Sequence, residues 1–238
     1  VSHLQSEAIK YDLAVRPASL ATATATGAYF DMRHHRQAVV VFTSGAAAAA
    51  ATVACQLREA TDAAGTGAQD LAGAVATITA NVKASKVTLT LATVLAADAV
   101  TINGLVFTAH ATVTTAANRE FSISGSDTAD AAALASVIND ATYGVPGVTA
   151  TPSGGTITLA ATIPGTMTVT IAAPASTITP ATVESVGYVE IDKGSLSAGY
   201  THVAAKLTTS GTVVAGAALL RMSGLFGVTQ AVAASKVQ

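Results

Sequence analysis

Thr52-Val53-Ala54-Cys55-Gln56-Leu57-Arg58-Glu59-Ala60 follows a run of alanines, Ala46–Ala51, and its reading decides the fold. Alanine has the highest helix propensity, so the run alone favours a helix. The residues after it do not. Val53, Cys55 and Leu57 alternate with Ala54, Gln56 and Arg58, and period two belongs to a half-buried strand. We therefore read Thr52–Ala60 as a strand with the alanines as its approach. Cys55 then faces the core as a small hydrophobe.

Towards the N-terminus the same style continues. Ala38-Val39-Val40-Val41-Phe42 is short and β-branched, a buried strand ended by Ser44-Gly45. Tyr29–Met32 leads into Arg33-His34-His35-Arg36, read as the polar start of that strand. Ile9–Val15 forms another strand, and Leu20–Thr26 is a Thr/Ala run punctuated by Gly27. Beyond Ala60, Asp62–Gly67 reads as a loop and Ala74–Thr79 as a strand. The last block repeats the pattern in Val186–Ile191, Tyr200–Leu207 and Val213–Leu220.

Residues 87–178 differ. Val87–Leu91, Val100–Thr108, Glu120–Ser124, Val148–Ala150, Thr156–Ala160 and Met167–Ile171 are strand-like. Asn103-Gly104 is a strong hairpin signal and Gly154-Gly155 another. One helix is expected over Ala129–Ala141, because Leu134, Val137, Ile138 and Ala141 recur at i, i+3, i+4 and i+7. Asp127 is expected to cap it, with Asp130 completing a capping box. Gly144 and Pro146-Gly147 end it. Pro152, Pro164, Pro174 and Pro180 mark the later loops.

These readings give a mainly β chain. Residues 1–82 with 183–238 would form a discontinuous β-sandwich body, jelly-roll-like, interrupted by a small inserted α+β domain with one helix at 87–178.

Composition narrows the function. Charged residues make up only 11% of the 238 residues, the net charge is −2 and Trp is absent. Such a balance lacks the basic face that nucleic acid needs. The longest apolar runs fall short of the roughly 20 residues of a membrane-spanning helix, so no membrane is expected. Val1–Glu7 lacks the basic start and apolar core of a secretory leader. With no initiator Met, the mature chain is expected to begin at or just before Val1. A single Cys55 forms no disulfide within the chain and suits synthesis in a reducing cytoplasm. So few charges on a free monomer would limit solubility, which hints at a subunit covered by copies or partners.

Chemistry finds little footing. His34 and His35 are adjacent and would face opposite sides of a strand; His3, His110 and His202 are scattered. No spacing matches a zinc site, and no metal or cofactor is expected. Ser122-Ile123-Ser124-Gly125-Ser126-Asp127 lacks the nucleophile-elbow pattern. Glu184, Glu190 and Asp192 read as solvated strand ends rather than a glycosidase pair. Gly65-Thr66-Gly67 lacks the Lys-Ser/Thr of a phosphate loop. The chain is thus expected not to be an enzyme. Arg33, His34, His35 and Arg36 form the one basic cluster, a candidate inter-subunit contact with an acidic neighbour, weighed against a solvated strand start.

Several stretches resemble virion structural proteins of tailed bacteriophages. They are Asp12–Ala14, Thr24 with Thr26–Met32, Gln56–Asp62 with Ala63–Ala68, Gly199–Val203, and Ala217 with Leu219–Arg221. Val100–Phe107, Ser126–Asp130 and Val145–Gly155 look like a module carried by many phage head, tail and fibre proteins. The resemblance implies a virion part assembled in the host bacterial cytoplasm. It would be a homo-oligomer contacting the major capsid protein or other virion proteins. Three positions stay open: capsid decoration (cement), a tail-tube or head–tail junction ring, and a host-surface-binding fibre or adhesin. Decoration is preferred, since a compact sandwich with a projecting module suits a shell and no fibrous repeat appears. The lack of Trp argues against sugar stacking by an adhesin.

Overall fold

Val53, Cys55 and Leu57 are buried while Thr52, Ala54, Gln56 and Arg58 are only partly so, and the strand they form spans Thr52–Ala60, the bounds its alternation gives. The computed structural model describes residues 9–47, 50–172, 177–222 and 235–237. Its strands are β1 (Ile9–Ala21), β2 (Thr24–Thr26), β3 (Phe30–Asp31), β4 (Gln37–Ala47), β5 (Thr52–Ala60), β6 (Gln69–Thr79), β7 (Lys86–Leu91), β8 (Ala99–Ile102) and β9 (Leu105–His110). They continue as β10 (Glu120–Ser122), β11 (Val148–Ser153), β12 (Thr156–Ala161), β13 (Val169–Ala172), β14 (Ile178–Asp192), β15 (His202–Ser210), β16 (Thr212–Met222) and β17 (Ser235–Val237). One α-helix, α1 (Asp127–Ile138), stands among them. The fold is mainly β. Two compact units divide the chain: Val1–Gly45, Ala51–Ile78 and Val186–Gln238 in one, Ala46–Ala50 and Thr79–Ser185 in the other. The boundaries expected from the sequence are 82, 87, 178 and 183.

The first unit holds two antiparallel strand sets. In one, β1, β16, β4 and β14 are successive neighbours, with β17 beside β14 at Gly187–Val189. In the other, the order is β2-β15-β5-β6, with β3 also on β15. Gly187 shows how tightly they pack. A Cβ there would stand 2.6 Å from Phe42 Cζ and 3.2 Å from Ile78 Cγ1, and both side chains are fully buried. Gly27 is likewise forced, because a Cβ would lie 1.8 Å from the carbonyl oxygen of Ala14.

The second unit is built around one core. The first part of β14 pairs β7, which pairs β12, which pairs β11; β10, β9, β8 and β13 form a separate sheet. Asn103 and Gly104 have φ of +48° and +82° and join β8 to β9, the left-handed pair that a two-residue hairpin needs. Leu134, Val137 and Ile138 of α1 bury among Phe107, Phe121 and Ile157.

Four local expectations are corrected. The helix ends at Ile138, leaving Ala141 exposed beyond it. Asn139 stops it and pairs both amide atoms with the backbone of Ala150 at 2.7 and 2.8 Å. Asp127 does not cap the helix: Ser126 occupies that position, and Asp127 Oδ1 accepts the N–H of Thr93. Arg33–Arg36 is a turn between β3 and β4 rather than a strand start, because Asp31 Oδ1 accepts the N–H of Arg33 and turns the chain. Pro152 and Pro180 lie in strands, not loops. β11 ends its sheet, so the missing N–H of Pro152 is tolerated there. Pro174 lies outside the described residues.

Candidate functional site

β1 is the end strand of its sheet and has one partner among the described residues, β16. Its sequence sets its character. Ile9, Tyr11 and Leu13 alternate with Lys10 and Asp12, so the apolar and charged side chains take opposite faces. On the apolar face Tyr11 is 64% and Leu13 58% exposed. Leu13, Val15, Pro17, Val41, Thr43 and Gly216 line a shallow groove of about 200 Å³ beside them. Large apolar side chains so open at a sheet edge are uncommon, since edges template pairing with another chain.

The charged face is fixed from below. Arg221 is only 4% exposed, and its Nε and Nη2 donate to Asp12 Oδ2 at 2.8 and 2.7 Å. Nη1 donates to the carbonyl oxygen of Asp31 at 2.6 Å, and the guanidinium lies 5.3 Å from the centre of the Phe30 ring. The strand pair β1–β16 needs such an anchor, because Lys10 stands directly opposite Arg221. Like charges in that position repel.

The four basic-cluster residues sit on the neighbouring turn. Arg33 makes a two-pronged pair with Asp31, and those bonds hold the Asp31 carboxyl well below the usual carboxylate range. Arg36 Nε lies 4.0 Å from Asp192, and its backbone N–H and carbonyl are bonded to Met222 and Lys193. His34 is exposed. His35 is half-buried with an unpartnered Nδ1, and its pKa is lowered by burial, then by Arg221 and Lys10. Both arginines thus spend charge on this chain's own carboxylates. The cluster is a turn in which Arg33 is paired with Asp31 and Arg36 stands near Asp192.

The remaining chemistry-bearing residues have structural partners. His110 Nδ1 accepts the N–H of Val113, and His202 Nδ1 shares a hydrogen with Thr201. His3 lies outside the described residues. Asp192 Oδ1 accepts the N–H of Gly194, and Glu184 stands opposite Lys86 in the β14–β7 ladder. Asp62 holds the N–H groups of Ala64 and Thr66, closing the Gly65–Gly67 turn. Cys55 is fully buried, and burial pushes its thiol up to about 12. Among the described residues no three His, Cys, Asp or Glu side chains gather where a metal ion would sit, and no helix is long and apolar enough to cross a membrane.

No family model, curated protein or solved structure matches the chain.

The sequence marks the strand at Ile9 but not its exposed surface. The signal was there: two bulky apolar residues interleaved with opposite charges two apart. What it lacked was the knowledge that this strand is at an edge.

Proposed function

We propose that this chain is a non-enzymatic structural subunit of a tailed-phage virion, a capsid decoration (cement) protein that stabilises the head through contacts between subunits. The observation that carries the reading is the β1 edge, paired on one side only among the described residues, with Tyr11 and Leu13 exposed beside an apolar groove. An uncovered surface of this kind in a charge-poor chain suits a protein whose working state is an assembly. The resemblance of both its parts to phage structural proteins supplies the setting. The work is then binding: each copy covers a boundary between capsid subunits, and symmetry multiplies contacts that are weak singly. Anything that binds only the assembled shell stabilises it by mass action.

Quantitative mass spectrometry of purified virions tests this. Hundreds of copies per particle, located over the shell in a reconstruction, are the expected result. A single ring at one vertex or along the tail would replace decoration with the tail-tube or junction reading. Absence from virions would overturn the structural-subunit reading, and hydrolysis of a polysaccharide by the recombinant chain would overturn its non-enzymatic character.

A further inference from the structure

We infer that two copies of this chain join edge to edge through β1, antiparallel about a twofold axis at Tyr11, so that Lys10 of each copy faces Asp12 of the other. This deepens the assembly reading and rests on it only in taking copies of the chain to meet.

Among the described residues, β1 is free to pair along its outer side over only part of its length. β1 shifts register between Leu13 and Val15 and again between Val15 and Ala18. Gly27 sits against the carbonyl of Ala14, and Pro17 packs on Gly216. Bulges and proline are the usual protection of an exposed edge. Ile9–Leu13 has neither, and its register with β16 is unbroken. A new strand therefore has these five residues to pair with.

Charge then selects the register. In a twofold antiparallel pair, two residues meet when they are equidistant from the axis. An axis at Tyr11 sets Ile9 opposite Leu13, Lys10 opposite Asp12, and Tyr11 opposite its own copy. Both ion pairs and all the apolar contacts fall on matching faces. An axis at Lys10 or at Asp12 would put like charges directly opposite, which is destabilising. An axis between residues would set a charged side chain of one copy against Ile9, Tyr11 or Leu13 of the other. An axis at Ala14 would match Asp12 with Arg16, but it spans the bulge and the contact with Gly27. An axis at Leu13 would set Lys10 against Arg16 across the register shift, and one at Ile9 would not bring Lys10 and Asp12 together, so only the axis at Tyr11 pairs both charges.

The same arrangement answers a problem inside the monomer. Lys10 makes no ion pair among the described residues and stands opposite Arg221. The second copy's carboxylate supplies the missing opposite charge. Lysine on an edge ordinarily discourages pairing. Here the acidic residue two positions on makes the edge complementary to itself.

The full-length chain is tested by sedimentation velocity across a concentration series and by cysteine cross-linking. Directly opposite residues place their Cβ atoms about 4.5–5.5 Å apart, within a small adjustment of disulfide geometry. Tyr11→Cys should therefore give a disulfide-linked dimer under mild oxidant, and Leu13→Cys should not. Cys55 is buried and will not compete. Lys10→Glu should weaken the dimer at least roughly tenfold, since two attractions become two repulsions. It should not unfold the monomer, because Glu at position 10 gains Arg221 as a partner. A chain that is monomeric throughout, a dimer indifferent to Lys10→Glu, or cross-linking at Leu13→Cys rather than Tyr11→Cys would each overturn the pairing. Virion copies without Tyr11→Cys cross-linking would sink this inference and leave the virion reading standing. Cross-linking by a chain absent from virions would do the reverse.

Discussion

Arg221→Met tests the anchor beneath β1. Methionine keeps much of the apolar length of arginine and can still lie on Phe30, so little of the loss comes from an emptied volume. What disappears is the guanidinium: two donors to Asp12 at 2.8 and 2.7 Å and one to the carbonyl of Asp31 at 2.6 Å. Removing one partner of a buried ion pair typically costs about 3–5 kcal/mol. Asp12 keeps some contact with water, its side chain being 13% exposed, which argues for the lower end, about 3 kcal/mol. With a urea dependence of about 2 kcal/mol per molar, the midpoint followed by circular dichroism should fall by about 1.5 M. Hydrogen exchange of the β1 and β16 amides would place the loss in the first unit. The second arm is Asp12→Leu on the Arg221→Met background. Taking away the stranded carboxylate should recover at least half of the lost stability, because the cost is mostly an unpaired charge. A loss below about 1 kcal/mol, or a double variant no better than the single, would refute the view that this pair holds the edge in place.

Gly187→Ala should destabilise by about 1–3 kcal/mol, since its Cβ would drive into Phe42 and Ile78; thermal unfolding reads this directly, and an unchanged midpoint would show that the two strand sets yield there. Asn139→Ala should cost about 1–2 kcal/mol, because it removes both bonds to Ala150 and leaves that backbone to find new partners. Asp130 is buried, and burial raises its pKa despite a bond from the backbone of Gly125, with the charge of Asp127 adding to the rise. An acid with a raised folded pKa lowers stability as pH climbs from its unfolded value through its folded one. Asp130→Asn should therefore exceed the wild type at neutral pH, by about 1 kcal/mol, and the gap should close below about pH 4, near the unfolded value; chemical denaturation at both pH values checks it. Cys55 should resist thiol reagents in the folded protein at pH 8 and react fully in urea, burial holding its thiol near 12.

What could be read from the sequence was local. Val53, Cys55 and Leu57 settle β5 against a strong helical prelude, because period two is visible within six residues. Asn103-Gly104 and the apolar face of α1 are equally self-contained. The failures share a different cause. Asp127 looked like a cap because nothing in its neighbourhood reveals Thr93, 34 residues away, whose N–H claims the carboxylate. Arg33–Arg36 reads as a strand start because the backbone bonds of Arg36 go to Met222 and Lys193 far down the chain, although the bond from Arg33 to Asp31 that opens the turn is local. Of the candidate site, the strand was legible and its exposure was not. Asp12 and Arg221 are 209 residues apart, and no periodicity links them.

That separation bears on how the edge could be used. A strand with Lys10, Asp12 and two large apolar residues would pair indiscriminately if its charges were free to move. Arg221 removes that freedom for Asp12, holding the carboxylate at one place on the charged face. Lys10 remains adaptable, but its like-charged neighbour Arg221 makes every environment without an added carboxylate less favourable. Among the described residues the edge thus carries a fixed acceptor and a cation with no ion pair, two residues apart. In a chain with so few charges, this short pattern discriminates between registers more sharply than apolar contact could, since Tyr11 and Leu13 would tolerate several. Stability and specificity divide between the two faces of the same strand: apolar contacts on one would supply the affinity, and the charges on the other would decide what may sit opposite.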